Sequence, residues 1–374
     1  MKTVVVIGGG IAGLGAGVYA RKCGFDVTVL ESHSIAGGIC TSWKRGGYLF
    51  EGGLHWLAGS SENEPLNKLW RYVGALDDSV KISYCEPFIE FDHKGTPVRL
   101  YRNVDATQKH LLELSPTDAK EIKKFCENIR KVKNLSMPVG DLPGVKGVKR
   151  SQPPLSMLFS FLSAVRMMKA YSKISREQYA KRFSHEGIRE MMLALPGGRQ
   201  GVPMLFLTMG SLARGDGGFP KGGSLPFVER IVKTFTALGG ELLCETRAEK
   251  VVVENGKATG VMAKGRFIPA DAVIVATDTM AIDGLFDVPP GADAKASWLD
   301  EMRERTGPTT ATFVSLGINA DLKKYPERPM IKLPRPISLA DETIEYLLLA
   351  NYAGDPDYSP AGKTAMTVQL HGDS

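Results

Sequence analysis

Val4-Val5-Val6-Ile7-Gly8-Gly9-Gly10-Ile11-Ala12-Gly13 is the stretch that decides how this chain folds. The opening run of β-branched residues reads as a short, buried strand. The glycines after it spell G-x-G-x-x-G, and a helix follows with Ala12, Ala16 and Ala20 small and Leu14 and Val18 apolar. Gly24 closes that helix as a C-terminal cap. Asp26-Val27-Thr28-Val29-Leu30 reads as a second strand, with Glu31 at its end, 18 residues beyond Gly13. Each part has a task in holding a dinucleotide. Gly8 permits the tight turn, Gly10 lets a pyrophosphate approach the backbone, and Gly13 lets helix and sheet pack closely. Ile11 and Ala12 open the helix, whose free N–H groups and positive dipole end face the phosphates. Glu31 is placed to accept hydrogen bonds from the adenosine ribose. The glycine pattern alone is weak evidence; the order strand, turn, helix, strand, acid gives it weight.

The next segment narrows the cofactor. Glu31 and Ser32 lead to Gly37-Gly38-Ile39-Cys40-Thr41, and then come Gly46-Gly47-Tyr48, Glu51-Gly52-Gly53 and His55-Trp56. This resembles the flavoproteins with two dinucleotide-binding domains, in which E-x5-G-G-x-x-[ST] extends the fingerprint. The run from Gly37 to Tyr48, with Leu54-His55-Trp56, is similar more specifically to the phytoene desaturase and carotenoid isomerase branch. The resemblance implies FAD rather than NAD as cofactor. It carries Ser32, Gly37, Gly38, Ile39, Thr41 and Gly53 into the cofactor site and puts the Gly52-Gly53 turn beside the isoalloxazine. Ile39 departs from the pattern, since many relatives have Arg or Lys there. The departure removes a phosphate contact but keeps the glycines.

A second block lies downstream. Gly215-Asp216-Gly217-Gly218-Phe219-Pro220-Lys221-Gly222-Gly223-Ser224 leads into a helix whose apolar face is expected at Leu225, Val228, Val232 and Phe235, closed by Gly239-Gly240. Strands are expected at 241–244, 251–253 and 258–262, with an Asn255-Gly256 hairpin turn, and another at 270–278. In the same family the residue at Val251 meets the adenine through its backbone, and Ala276 and Thr277 return to the phosphate side. The glycine loop before the helix is implied to lie near flavin and substrate.

Composition fits a large globular enzyme of two or three domains: 374 residues, 43% hydrophobic and 24% charged. The five cysteines (Cys23, Cys40, Cys85, Cys126, Cys244) are scattered without a C-x-x-C. That argues against a disulfide framework, a zinc site or a dithiol centre, and for a reducing compartment. Cys40 reads as a packed residue rather than a redox group. No metal site is expected. Lys2 and the apolar run after it are explained by the nucleotide turn rather than a signal peptide. No apolar run reaches the roughly 20 residues that span a bilayer. The expectation is a cytoplasmic protein, with peripheral contact at the inner membrane face left open.

That openness comes from charge. Residues 120–182 hold 15 Lys and Arg against 4 Asp and Glu, in a chain of net charge +6. Within them lies Leu155-Ser156-Met157-Leu158-Phe159-Ser160-Phe161-Leu162-Ser163-Ala164-Val165, the most apolar run of the chain, followed by Arg166 and Lys169. A cationic flank beside an apolar helix suits an interfacial membrane contact. It equally suits a core helix beside a substrate cavity with a solvated basic face. No nucleic-acid motif accompanies the charge, so nucleic acid is not an expected partner.

The rest of the middle region reads as mostly helical. Leu66, Leu69, Trp70 and Val73 repeat at helical spacing after Pro65. A hairpin is expected at 88–91 and 98–100 around Gly95. Ser115-Pro116-Thr117-Asp118 and the stretch 175–178 read as capping boxes, the first opening a helix with Ile122, Phe125, Cys126 and Ile129 inward. Residues 138–154 read as a surface loop. There is no internal repeat. Strands are expected to return at 311–318, 345–352 and 364–370. The expected architecture is α/β: a Rossmann-like FAD-binding domain from 1–75 and 217–285, with an inserted helical cap and a mixed α+β substrate domain from 76–216 and 286–374.

The chain carries no H-E-x-x-H and no G-x-S-x-G, so its chemistry is expected to come from the cofactor. His55 is the ionisable residue singled out as catalytic, as proton donor or hydrogen-bond partner of the flavin; it could equally serve only to pack beside Trp56. Arg214 and Asp216 are weaker candidates. Leu158, Phe159, Phe161, Leu162, Met204, Leu205 and Phe206 could line an apolar channel or form plain core. The resemblance implies a lipophilic polyene or isoprenoid substrate, handled by desaturation, isomerisation or reduction. A flavin amine oxidase, a soluble NAD(P) dehydrogenase and a non-catalytic nucleotide-binding fragment are the alternatives. The last follows from a further expectation, that the chain is C-terminally incomplete: the resemblance implies a flavin-contacting Gly-Asp and Pro-Gly-rich segment beyond Thr364, supplied by a partner or lost by truncation. Oligomeric state is not legible.

Overall fold

The computed structural model describes residues 1–136, 155–195, 201–287, 298–305, 310–339 and 342–372. The strand Thr3–Ile7 lies at the centre of a parallel sheet, flanked by Ala272–Val275 on one side and Asp26–Leu30, then Glu241–Leu243, on the other. A strand buried on both faces must be apolar along its length, and Val4 to Ile7 are all buried. The helix Ile11–Lys22 runs back across the sheet and packs against the helix Ser224–Ala237. Close approach is possible because Gly17 has no side chain: a Cβ there would stand 2.9 Å from the Phe235 ring. The sheet thus draws together segments more than two hundred residues apart, which is the Rossmann-like α/β arrangement.

The Ser224–Ala237 helix buries Phe227, Val228, Ile231 and Phe235. The expected face of Leu225, Val228, Val232 and Phe235 is therefore rotated: Leu225 and Val232 are only partly buried. Phe227, not Leu225, meets Trp70 (ring centroids 5.3 Å apart), and Phe235 lies against Gly17 of the helix Ile11–Lys22. A three-stranded antiparallel sheet, Ala248–Glu254, Lys257–Ala263 and Arg266–Pro269, follows, its first turn at Asn255-Gly256 as expected.

A second sheet of six strands has the order Thr310–Ile318, Thr364–Gly372, Glu342–Asn351, Pro329–Leu339, Ile89–His93, Thr96–Leu100. The hairpin 89–100 joins this sheet through the parallel pairing of Glu90 and Phe91 with Pro329 and Met330. The strand Pro329–Leu339 had no counterpart among the expected strands. Its prolines at 329, 334 and 336 cannot donate to a ladder, and pairing with Glu342–Asn351 breaks between Lys332 and Ile337, where two of them sit.

Among the described residues, six α-helices between Val104 and Ala213 form a cap on this sheet. Its core is aromatic: Phe206 meets Tyr171, Tyr179 and Phe125, with ring centroids 5.1 to 5.9 Å apart. Ile122, Phe125, Cys126 and Ile129 face inward as expected. The capping box at 175–178 forms, with Ser175 Oγ accepting from Gln178 N–H. The one at 115–118 does not. Ser115 Oγ instead donates to Asp118 (2.8 Å), and Pro116–Asp118 is a turn of 3₁₀ helix before the α-helix Ala119–Val132. Asp118 is diverted because it also accepts from the Ser184 and His185 N–H groups. The expected loop at 138–154 lies outside the described residues.

Candidate dinucleotide and redox site

Five short segments converge at the carboxyl edge of the parallel sheet. The first is the turn 8–13. Gly8 has φ +106°, open to glycine, and a Cβ on Gly13 would stand 1.8 Å from the Gly8 carbonyl oxygen. Gly10 gives the helix Ile11–Lys22 no side-chain cap, so the first-turn N–H groups of Ile11, Ala12 and Gly13 remain for a ligand. The second segment, 37–41, is tied to the first: Gly37 N–H donates to Gly9 O (2.8 Å), and Gly10 and Gly37 form an isolated parallel bridge. The third is Ala276-Thr277. Ala276 N–H donates to Ile7 O (2.8 Å), and a Cβ on Gly8 would touch Ala276 O at 2.7 Å.

Glu31 is buried behind this turn. Its Oε2 accepts from Gly9 N–H and its Oε1 from His33 N–H, both at 2.8 Å, while the exposed Ser32 hydroxyl lies 3.3 Å from Oε1. The carboxylate therefore braces the glycine turn and stands at the strand end where a ribose would lie. Val251 packs in the cluster of Val5, Ile7 and Leu30. Its strand begins two residues after Thr246, whose N–H donates to Glu31 O (2.7 Å). Ile39 is 91% exposed and Thr41 partly buried, its carbonyl accepting from Gly52 N–H (3.0 Å). Cys40 lies between these loops. Burial pushes its thiol up, opposed by the Ser224 hydroxyl and aided by Glu51, so it stays a thiol at neutral pH, in keeping with a packed residue.

The organiser of the fourth and fifth segments, 51–54 and 222–224, is Glu51, which was not among the residues expected to matter. It is fully buried. Its Oε1 accepts from Gly53 and Leu54 N–H (3.1 Å each) and from the Ser224 hydroxyl, and its Oε2 from Ser224 N–H (2.9 Å). One side chain thus caps the Ser224–Ala237 helix and shapes the Gly52-Gly53 turn. Gly223 sits at φ +70°, and a Cβ there would come within 2.0 Å of Glu51 Oε2. Gly53 has no more room: a Cβ would stand 2.4 Å from Ile39 O. An acid ending the strand Tyr48–Glu51 just before two glycines was the available signal. Its partner lies 173 residues away, which no local pattern reports.

His55 follows this turn. Its ring stacks on Phe313 of the six-stranded sheet (centroids 5.4 Å, planes 5° apart), and its carbonyl accepts from Arg328 Nη2 (2.9 Å). His55 therefore stands where the nucleotide loops meet the second sheet. Tyr352 and Tyr358 stack at 4.3 Å, buried with Phe50 and Ala365.

The weaker candidates are structural ties. Asp216 accepts from Gly59 N–H (2.9 Å), Ser60 Oγ (3.1 Å) and Ser61 N–H (3.3 Å), locking the loop 215–218 to 57–61. Arg214 donates to buried Glu64 (Nη2, 3.1 Å) and to Lys133 O (2.7 Å). Of the channel candidates, Leu205 and Phe206 are cap core, whereas Met204, Phe161 and Leu162 are exposed; the side chains of Leu158 and Phe159 lie outside the described residues. Helical phase decides this, since Phe206 and Met204 point to different sides of one helix. Among the described residues no cluster of His, Cys, Asp and Glu could hold a metal.

The convergent glycine turns, the uncapped helix and the braced acid fit a dinucleotide, and comparison with known proteins agrees. The NAD(P)-binding Rossmann-like domain family matches residues 6–73. A lycopene-forming phytoene desaturase of Paracoccus is 25% identical over 75% of this chain and 55% of its own length. One from Pseudescherichia vulneris is 25% identical over 98% of this chain and 76% of its own length. An oxidoreductase structure from Methanosarcina mazei superposes with a TM-score of 0.63 at 20% identity, covering 98% of this chain and 78% of that one; at that identity it shows the fold. The chain therefore spans between about half and three quarters of the length of these desaturases. It is a distant homologue, over most of its length, of the phytoene desaturases and related carotenoid oxidoreductases, built on a dinucleotide-binding Rossmann-like domain.

Proposed function

We propose that the protein is an FAD-dependent oxidoreductase acting on a lipophilic polyene or isoprenoid, by C–C desaturation or double-bond isomerisation. The observation that carries this reading is the tie between the two glycine loops: Gly37 N–H donates to Gly9 O, so the second pair of glycines lies over the nucleotide turn, where an NAD site needs only the first. The desaturase relatives give the substrate class its direction. In this reading the first-turn amides of the helix Ile11–Lys22 hold the pyrophosphate, Glu31 the ribose, and the 37–41, 52–53 and 276–277 loops the rest of FAD. The bound flavin supplies the acceptor for a hydride equivalent. The chain's own part is orientation and exclusion of water. His55, held by Phe313 and Arg328, holds or moves a proton at its imidazole. A cytoplasmic, reducing location is in keeping with the free cysteines.

The amine-oxidase alternative would need an open aromatic cage. Tyr352 and Tyr358 stack in direct contact, which leaves no slot between them for a substrate.

The test is the visible spectrum of the purified, desalted protein. Flavin bands, released as FAD on denaturation, are the expected result; a protein that stays colourless after reconstitution with FAD overturns the reading. With flavin in place, His55→Gln should slow its reduction by a polyene by about 10²-fold without loss of bound flavin. An unchanged rate would leave His55 a packing residue.

A further inference from the structure

Among the described residues, the three sheets of three or more strands have six outer strands. An outer strand offers unpaired N–H and C=O groups to any further strand, and folded proteins blunt such edges by shortness, charge, proline or a bulge. Five of the six are blunted. Ala272–Val275 and Glu241–Leu243 are four and three residues long. Ala248–Glu254 carries Glu249, Lys250 and Glu254. Arg266–Pro269 and Thr96–Leu100 each carry an arginine and a proline. The sixth, Thr310–Ile318, is nine residues long and has neither charge nor proline. Its ladder to Thr364–Gly372 runs without a bulge from Thr310 to Ile318. Besides that ladder, the one hydrogen bond it receives from the described residues comes from the Tyr48 hydroxyl, at Ile318 O (3.4 Å). Val314 and Leu316 on this strand are 40% and 42% exposed.

We propose that two copies of this chain pair antiparallel along Thr310–Ile318, joining their six-stranded sheets about a two-fold axis. The strand itself selects the occupant. With the axis at Val314, its middle residue, Thr310 meets Ile318, Thr312 meets Leu316 and Phe313 meets Ser315, so the whole strand is paired. A two-fold sets the central side chain against its own copy, where a charge would repel itself. An uncharged strand meets no such cost, and Val314 and Leu316 leave water on the shared face. The pairing also reaches the candidate site. Phe313 carries the ring on which His55 stacks, and the two-fold puts Ser315 of the partner subunit opposite it, on the same face. Pairing of this kind needs no bound cofactor, so it stands or falls apart from the flavin reading.

The test is sedimentation velocity of the full chain between about 1 and 100 µM. A dimer is expected, with a dissociation constant in about the micromolar range, and hydrogen exchange at the outward amides of 311–317 should slow as the dimer fills. Val314→Lys and Val314→Glu each set like charges across the axis and should weaken dimerisation at least about tenfold, with circular dichroism unchanged. Mixed in equal amounts, the two variants should dimerise again, since lysine then faces glutamate. Val253→Lys and Phe267→Lys, at exposed positions on the three-stranded sheet, should leave the dimer intact. A monomer at about 100 µM, Val314 variants that dimerise like the parent, a mixture that stays monomeric, or equal loss in the Val253 and Phe267 variants would each overturn the proposal. So would a dimer with unchanged exchange at 311–317, which would lie on another face.

Discussion

Replacing Glu51 by Gln tests how the site is held together. In the native protein four donors converge on this fully buried carboxylate: Gly53 N–H, Leu54 N–H, the Ser224 hydroxyl and Ser224 N–H. A glutamine keeps one oxygen, which can serve the three donors at the Oε1 position. Its amide nitrogen must then face Ser224 N–H, donor against donor. One charge-assisted hydrogen bond is lost and one buried donor is stranded, at about 3 kcal/mol together. Glu51→Ala strands the Gly53 and Ser224 N–H groups, leaves Leu54 N–H only its bond to the Ser224 hydroxyl (2.9 Å) and opens a void, so its cost should be larger, about 4–5 kcal/mol. Urea unfolding followed by circular dichroism measures both, as a shift of midpoint at constant slope. A Glu51→Gln protein within about 0.5 kcal/mol of the parent, the range of an ordinary surface change, would refute the claim that this carboxylate organises the 51–54 and 222–224 segments.

Two further perturbations probe the ties around the site. Arg214→Met leaves Glu64 buried without its cation and should cost about 3–5 kcal/mol in urea unfolding. Adding Glu64→Gln should restore part of that loss, and strict additivity of the two changes would count against the pair. For Asp118, burial works to raise the carboxyl, but the N–H donors of Ser184 and His185 and the Ser115 hydroxyl outweigh it and hold it below the usual range. A depressed folded value means stability that is full above the usual carboxylate range and lost as pH falls through the folded value. Asp118→Asn should therefore destabilise by about 1–3 kcal/mol at neutral pH, with the difference vanishing in acid; a pH-independent difference would refute this.

The sequence by itself determined the nucleotide half of the molecule. The strand 4–7, the turn 8–13, the helix after it and Glu31 are contiguous, and their signals are local: β-branching for a strand buried on both faces, glycine where the backbone must turn or approach closely. The hairpin turns at Gly95 and at Asn255-Gly256 were legible for the same reason. Elements whose cause lies elsewhere in the chain were not. Pro329–Leu339 is a strand because it gains neighbours in Glu342–Asn351 and Ile89–His93, even though its prolines locally disfavour pairing. The buried face of Ser224–Ala237 was not legible because the groups it packs on, Trp70 and Gly17, lie far away in the sequence; for Leu205 and Phe206 the plain-core reading holds. Glu51 shows the limit most plainly. Its identity is one acid among many, and its importance arises only when folding brings Ser224 to it and removes water from both. A charge's role depends on which donors surround it once it is dry, and only the tertiary structure decides that.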